Sequence, residues 1–85
     1  MTNETLNRLL DLPDFCKRNF IYHAEKPNYF GIRWMDRLIR TFEQDNAVAS
    51  ITYPITFYIE SVRYDGELEV RRDGSHAVRM NHNPA

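Results

Sequence analysis

The chain is short of the residues that build several common kinds of site. It has one cysteine and three glycines, and no apolar run approaches the ~18 residues that cross a membrane. A lone Cys16 excludes an intramolecular disulfide and any cysteine-based metal cluster within one chain, and a reducing compartment is the simpler expectation. The start MTNETLNRLL lacks the basic residues and apolar core of a secretory leader, so a cytoplasmic protein with no membrane partner is expected. Gly31, Gly66 and Gly74 are isolated from one another, which rules out a P-loop or a dinucleotide fingerprint. An excess of either charge is also missing. The formal net charge is -1, an argument against tight non-specific duplex binding, which depends on neutralising phosphates. A local basic patch is still compatible with that balance.

Arginine and aromatic side chains are well supplied. Most of the 11 basic residues are Arg, and 13% of the chain is aromatic. These types are enriched at recognition surfaces because rigid planar groups gain contact at low entropic cost. In a chain of 85 residues most aromatics are nevertheless needed for a single core.

The strongest periodic signal is Gly31 to Gln44. Ile32, Trp34, Met35, Leu38, Ile39 and Phe42 recur at three- and four-residue spacings, which predicts a helix burying that face. Arg33, Asp36, Arg37, Arg40 and Glu43 fall on the other side. Upstream, Thr2 or Asn3 caps a first helix carrying Leu6, Leu9 and Leu10, and Pro13 is expected to end it. A second helix from Pro13 to about Tyr22 follows, with Phe15, Cys16 and Phe20 on one face, then a loop in which Asn28 caps the main helix.

Beyond Asp45-Asn46 the period falls to two and the chain reads as β. Val48 to Arg63 predicts a long strand interrupted by Pro54, which suits a sheet edge or a bulge. Tyr64-Asp65-Gly66 and Arg72-Asp73-Gly74 each fit a three-residue hairpin loop with a left-handed glycine. The first would pair Arg63 with Glu67; the second would pair Val70 with His76 and Leu68 with Val78. Val62, Leu68, Val70, Val78 and Met80 then share a face, while Ile55, Phe57 and Ile59 have the opposite parity unless a bulge near Glu60 and Ser61 resets it. The expected fold is α+β: two or three N-terminal helices packed on one face of a three- to four-stranded antiparallel meander, as one domain over 1–80 with a disordered tail over 81–85.

Catalytic chemistry would have to use Cys16, His23, His76 or His82, and no motif brings them together. His76 and His82 stand six apart with no further ligand cluster to complete a metal site. No enzyme activity, metal or cofactor is therefore expected. Arg33, Arg37 and Arg40 form a stripe along one helix flank that could grip phosphates or an acidic protein surface, although Asp36 and Glu43 lie at spacings that allow local ion pairs. Arg63, Arg71, Arg72 and Arg79 are interleaved with Glu67 and Glu69, a pattern of cross-strand pairs. Phe57, Tyr58 and Ile59 are the candidate apolar anchor.

The reading that joins these features is a small non-enzymatic protein that occupies a surface of a larger partner through Arg33, Arg37, Arg40, Phe57, Tyr58 and Ile59. That has the general character of small accessory or inhibitory proteins of phages, an analogy of type that rests on no motif. Another protein is the favoured partner. The alternative is RNA or single-stranded nucleic acid, with Phe57, Tyr58 or Tyr64 stacking on bases. A homodimer through the 48–63 edge strand is a further expectation.

Overall fold

The computed structural model describes residues 1–25 and 30–81, and it contains two helices and one four-stranded antiparallel sheet, an α+β fold. Helix α1 spans Asn3–Arg18 and helix α2 spans Ile32–Gln44; strands β1 (Ile21–His23), β2 (Ser50–Ile59), β3 (Val62–Arg71) and β4 (His76–Met80) lie in sequence order across the sheet. No helix among the described residues is long and apolar enough to cross a membrane.

The Thr2 side chain caps α1 by accepting from the Thr5 N–H at 3.1 Å, and Glu4 in the first turn pairs with Arg8 at 2.6 Å. Pro13 was expected to divide this segment into two helices, but α1 runs through it. The proline has no N–H to give the Leu9 carbonyl, a loss of about 3 kcal/mol in a helix interior. Leu9, Leu12 and Cys16 continue one apolar stripe across that point and are all buried. Burying the two leucines at roughly 1.5–3 kcal/mol each offsets the break. The helix stops at Asn19, where the main-chain N–H and the side-chain Nδ2 both donate to the Phe15 carbonyl. Phe20 then takes φ 55 and reverses the chain into β1. Ile21 and Tyr22, expected at the end of a second helix, and His23, expected in the loop after it, are therefore a strand that pairs with Phe57, Thr56 and Ile55 in turn.

Gly31 is the N-cap of α2; the expected cap Asn28 lies outside the described residues. Met35, Leu38 and Phe42 are buried, and Trp34 and Ile39 pack partly against them. Ile32 departs from the expected apolar face, for it is 80% exposed in the first turn. At the far end Asp45 closes the helix, and its carboxylate accepts from the Ala47 N–H at 3.0 Å.

Two expectations for the sheet are corrected. The expected loop at Tyr64-Asp65-Gly66 does not form. Those residues run straight through β3, and the hairpin turns at Glu60 and Ser61, which take φ 49 and 68. Two successive positive φ values are the mark of the tight two-residue turn whose twist matches a hairpin. Tyr58 consequently pairs with Arg63, and Ile59 with Val62, in place of Arg63 with Glu67. This turn also resolves the parity conflict. Ile51, Tyr53, Ile55, Phe57 and Ile59 stand opposite Val70, Leu68, Gly66, Tyr64 and Val62, so all of them share one face. The second correction is that β2 is an inner strand, flanked by β1 and β3. Residues 55–57 thus have no free edge for a partner. Pro54 accepts from the Ala24 N–H through its carbonyl at 2.9 Å but has no N–H to return, and the β1–β2 ladder ends there.

The second hairpin agrees with expectation. Val70 pairs with His76 and Leu68 with Val78, Gly74 takes φ 90, and the Asp73 carboxylate accepts from the Ser75 N–H at 2.9 Å and its hydroxyl at 2.6 Å. Leu9, Leu12 and Cys16 of α1, Met35, Leu38 and Phe42 of α2, and Ile55, Phe57, Leu68 and Val70 of the sheet belong to a single buried cluster with Ile21 and Phe30. Of the tail expected over 81–85, all but Asn81 lies outside the described residues.

Candidate functional site

The arginines fall into two physically distinct groups. On the outer face of the sheet, Arg79 pairs with Glu69 at 2.7 Å and Glu67 at 3.3 Å, Arg71 with Glu69 at 3.4 Å, and Arg63 with Asp65 at 3.6 Å. The hydrogen bond from Arg79 holds the Glu69 carboxyl below its usual range, with the charge of Arg71 adding to it. Arg72 is turned inward: its guanidinium donates to the carbonyls of Val48 (2.8 Å), Phe42 (2.6 Å) and Asp45. The interleaved set is thus spent on the fold's own carboxylates and carbonyls.

Arg33, Arg37 and Arg40 are different. All three are exposed on α2, and none of them makes an ion pair with any described residue. The local pairs that Asp36 and Glu43 could have provided do not form. The helix holds the three side chains along one flank because spacings of four and three return to nearly the same angle. Among the described residues these three cations stand side by side with no carboxylate in a salt bridge to any of them.

Arg33 and Arg37 also border a cleft of about 970 Å³ whose lining includes Pro13, Asp14 and Lys17 of α1, His23 of β1, and Phe30, Trp34 and Tyr53. Its floor is a cluster of rings. Phe30 meets Trp34 at 4.3 Å between centroids, Trp34 meets Tyr53 at 5.1 Å, and His23 lies 5.5 Å from Phe30 and 6.0 Å from Tyr53. Burial raises the Tyr53 phenol's pKa, and the nearby Trp34 indole N–H draws it part of the way back. That indole nitrogen is itself buried without a full hydrogen bond among the described residues. Aromatic floor and cationic rim together suit a ligand with an apolar body and negative charge beside it.

Phe57, Tyr58 and Ile59 do not form one surface. Phe57 is a core residue, 8% exposed and stacked on Tyr64 at 5.9 Å. Tyr58 and Ile59 are exposed but alternate to opposite faces of β2. Tyr58 meets Tyr22 edge-on at 6.3 Å and lines a smaller cleft with Thr56 and Arg63. None of these three residues lines the cleft beside Arg33 and Arg37. The ring cluster was missed in the sequence because His23, Phe30 and Tyr53 come from three separate segments. Only the parity of Tyr53 with Ile51 and Ile55 hinted at its inward position.

Cys16 is fully buried, and that burial pushes its thiol up to about 12. It stays protonated at neutral pH, which removes the thiolate that a nucleophile requires. Burial also lowers the pKa of His76, whose ring lies 4.5 Å from that of Phe15. Among the described residues no three His, Cys, Asp or Glu side chains are grouped so as to hold a metal ion; His82 lies outside them. No protein-family model, curated protein or solved structure matches the chain.

Proposed function

We propose that this protein is a non-enzymatic, cytoplasmic binding protein that docks on an acidic surface of a larger protein through the exposed flank of α2. In this reading the two helices cover one face of the sheet, and α2 turns Arg33, Arg37 and Arg40 outward. The observation that carries it is the absence of any ion pair to those three arginines among the described residues, while Arg63, Arg71 and Arg79 are all paired. The ring-floored cleft beside Arg33 and Arg37 receives an apolar side chain of the partner, and the arginines set orientation and association rate. Phe57 serves the core, and Tyr58 and Ile59 lie outside this contact.

The test is retention of partners from lysate by the tagged protein, with and without nuclease, compared with an Arg37→Glu/Arg40→Glu variant. A stoichiometric protein retained after nuclease and lost with the variant is the expected result. Once that partner is purified, its affinity should fall roughly 10- to 100-fold on charge reversal. Thermal stability should change little, because both side chains are exposed and make no ion pair with any described residue. A variant that unfolds would make the arginines structural. Retained RNA, with proteins lost after nuclease, would move the assignment to single-stranded nucleic acid; the acidic groups of Asp65, Glu67 and Glu69 on the outer sheet face speak against that surface as a base-stacking platform.

A further inference from the structure

β4 is an outer strand of the sheet, and the phase of its backbone follows from the bonds at its two ends. Arg71 N–H donates to the Ser75 carbonyl at 2.9 Å, and Asn81 N–H donates to the Asp65 carbonyl at 3.0 Å. In an antiparallel ladder opposed residues alternate between pairs that exchange hydrogen bonds and pairs that do not. Ser75, Ala77, Arg79 and Asn81 therefore turn their main-chain groups toward β3. His76, Val78 and Met80 turn theirs to the open side. Among the described residues no hydrogen bond outside the sheet ladder reaches those three.

Natural edges are blunted by shortness, by charged side chains, lysine above all, by proline or by a bulge; β4 is five residues long and its one formal charge, Arg79, is paired within the sheet. β4, with the sequence HAVRM, has neither proline nor lysine, and its register to β3 is unbroken. Val78 and Met80 are 38% and 51% exposed, and they share the face of Val62, Leu68 and Val70. The other candidate edges are poorer: β1 has three residues, and the open side of β2 is limited to its first half by Pro54.

We propose that two copies of this chain form a two-fold dimer by antiparallel pairing of β4 with β4, centred on Val78, to give one continuous eight-stranded sheet. In that register His76 stands opposite the partner's Met80, Ala77 opposite the partner's Arg79, and Val78 opposite the partner's Val78. The three open residues of each strand then exchange main-chain hydrogen bonds in pairs. The charges fit a second copy as well. Arg79 meets an alanine rather than another cation, and its own charge is already matched by Glu67 and Glu69. Opposed like charges, which would destabilise an edge pairing, are absent. A slip of one residue turns the donors away, and a slip of two shortens the overlap, so the register centred on Val78 is selected.

Sedimentation velocity of the full chain up to about 300 µM, where mass action favours association, should show the mass doubling with concentration. Amide exchange at His76, Val78 and Met80 should slow at least about tenfold over the same range, and exchange at Ser50 and Thr52 should not. Val78→Lys sets two ammonium groups on the two-fold axis and should raise the dimer Kd at least about tenfold; Val78→Pro removes the central donor and should do the same. A chain that keeps its single mass throughout overturns the proposal. So does a dimer whose slowed amides lie elsewhere, a result read on the unsubstituted protein and independent of how the variants fold.

Discussion

Replacing Arg72 by alanine is expected to lower the unfolding free energy by about 3 kcal/mol, the largest loss from any single charged residue in the fold. One guanidinium satisfies the carbonyls of Phe42, Asp45 and Val48 and lies 5.2 Å from the centre of the Phe42 ring. The main-chain N–H of Arg72 donates to the Ala49 carbonyl at 2.9 Å as well, so the residue joins the β3–β4 turn to the end of α2 and the start of β2. Removing the side chain leaves carbonyls at a helix C-terminus without their donor. Arg72→Lys keeps the charge but presents one ammonium in place of a planar fork, and should recover less than half of the loss. Urea denaturation of the three proteins measures this directly, and thermal unfolding should show a fall in Tm of roughly 12–24 °C for the alanine variant. A change below about 0.5 kcal/mol would mean that these bonds are equally well made by water.

Gly66→Ala is expected to destabilise by about 2–4 kcal/mol, although it adds only a methyl group. Gly66 is buried in the middle of β3, opposite Ile55 and Met80. A Cβ there would fall well inside van der Waals distance of the Arg79 carbonyl oxygen and 3.1 Å from Cε1 of the Phe57 ring. The first of these is main chain, so β3 and β4 would have to separate locally. Thermal unfolding of Gly66→Ala beside Gly31→Ala is the informative comparison, because among the described residues nothing lies within 4 Å of a Cβ at Gly31. Equal, small effects at both positions would show that the strands accommodate the methyl group by shifting.

The same glycine explains where the sequence misleads. Asp65-Gly66 has the composition of a hairpin turn, yet the glycine is required by the close approach of Phe57 and Arg79. The true turn is made by Glu60 and Ser61, which lack the glycine, asparagine or aspartate that two successive positive φ values favour, and adopt them against their own preference. Tertiary packing decides both. Pro13 misleads in the same way, since its local penalty is outweighed by a stripe whose burial is visible only in the folded core. The periodic features were legible: α2, the break at Asp45, the Gly74 turn with its register, and the common face of Leu68, Val70 and Val78. Of the candidate site, the arginine flank of α2 was legible from spacing alone. The absence of local ion pairs was not, because spacing permits a salt bridge without forming one. The ring-lined cleft depends on how α1, β1, α2 and β2 are brought together, and no local pattern encodes that.

The strand order has a consequence for the route by which the chain folds. β2, β3 and β4 are joined by short turns, so their pairing closes small loops, whereas β1 reaches β2 only after α2 and its flanking segments have been enclosed. Closing that larger loop costs roughly 2 kcal/mol more in chain entropy than closing a two-residue turn. The three-stranded meander is therefore expected to assemble first, with the β1–β2 seam, capped by a proline that returns no bond, zipping last and opening first. Native-state exchange would then find the Tyr22 amide released by a smaller opening than those of Leu68 and Val70; equal opening energies at all three would make the sheet one cooperative unit.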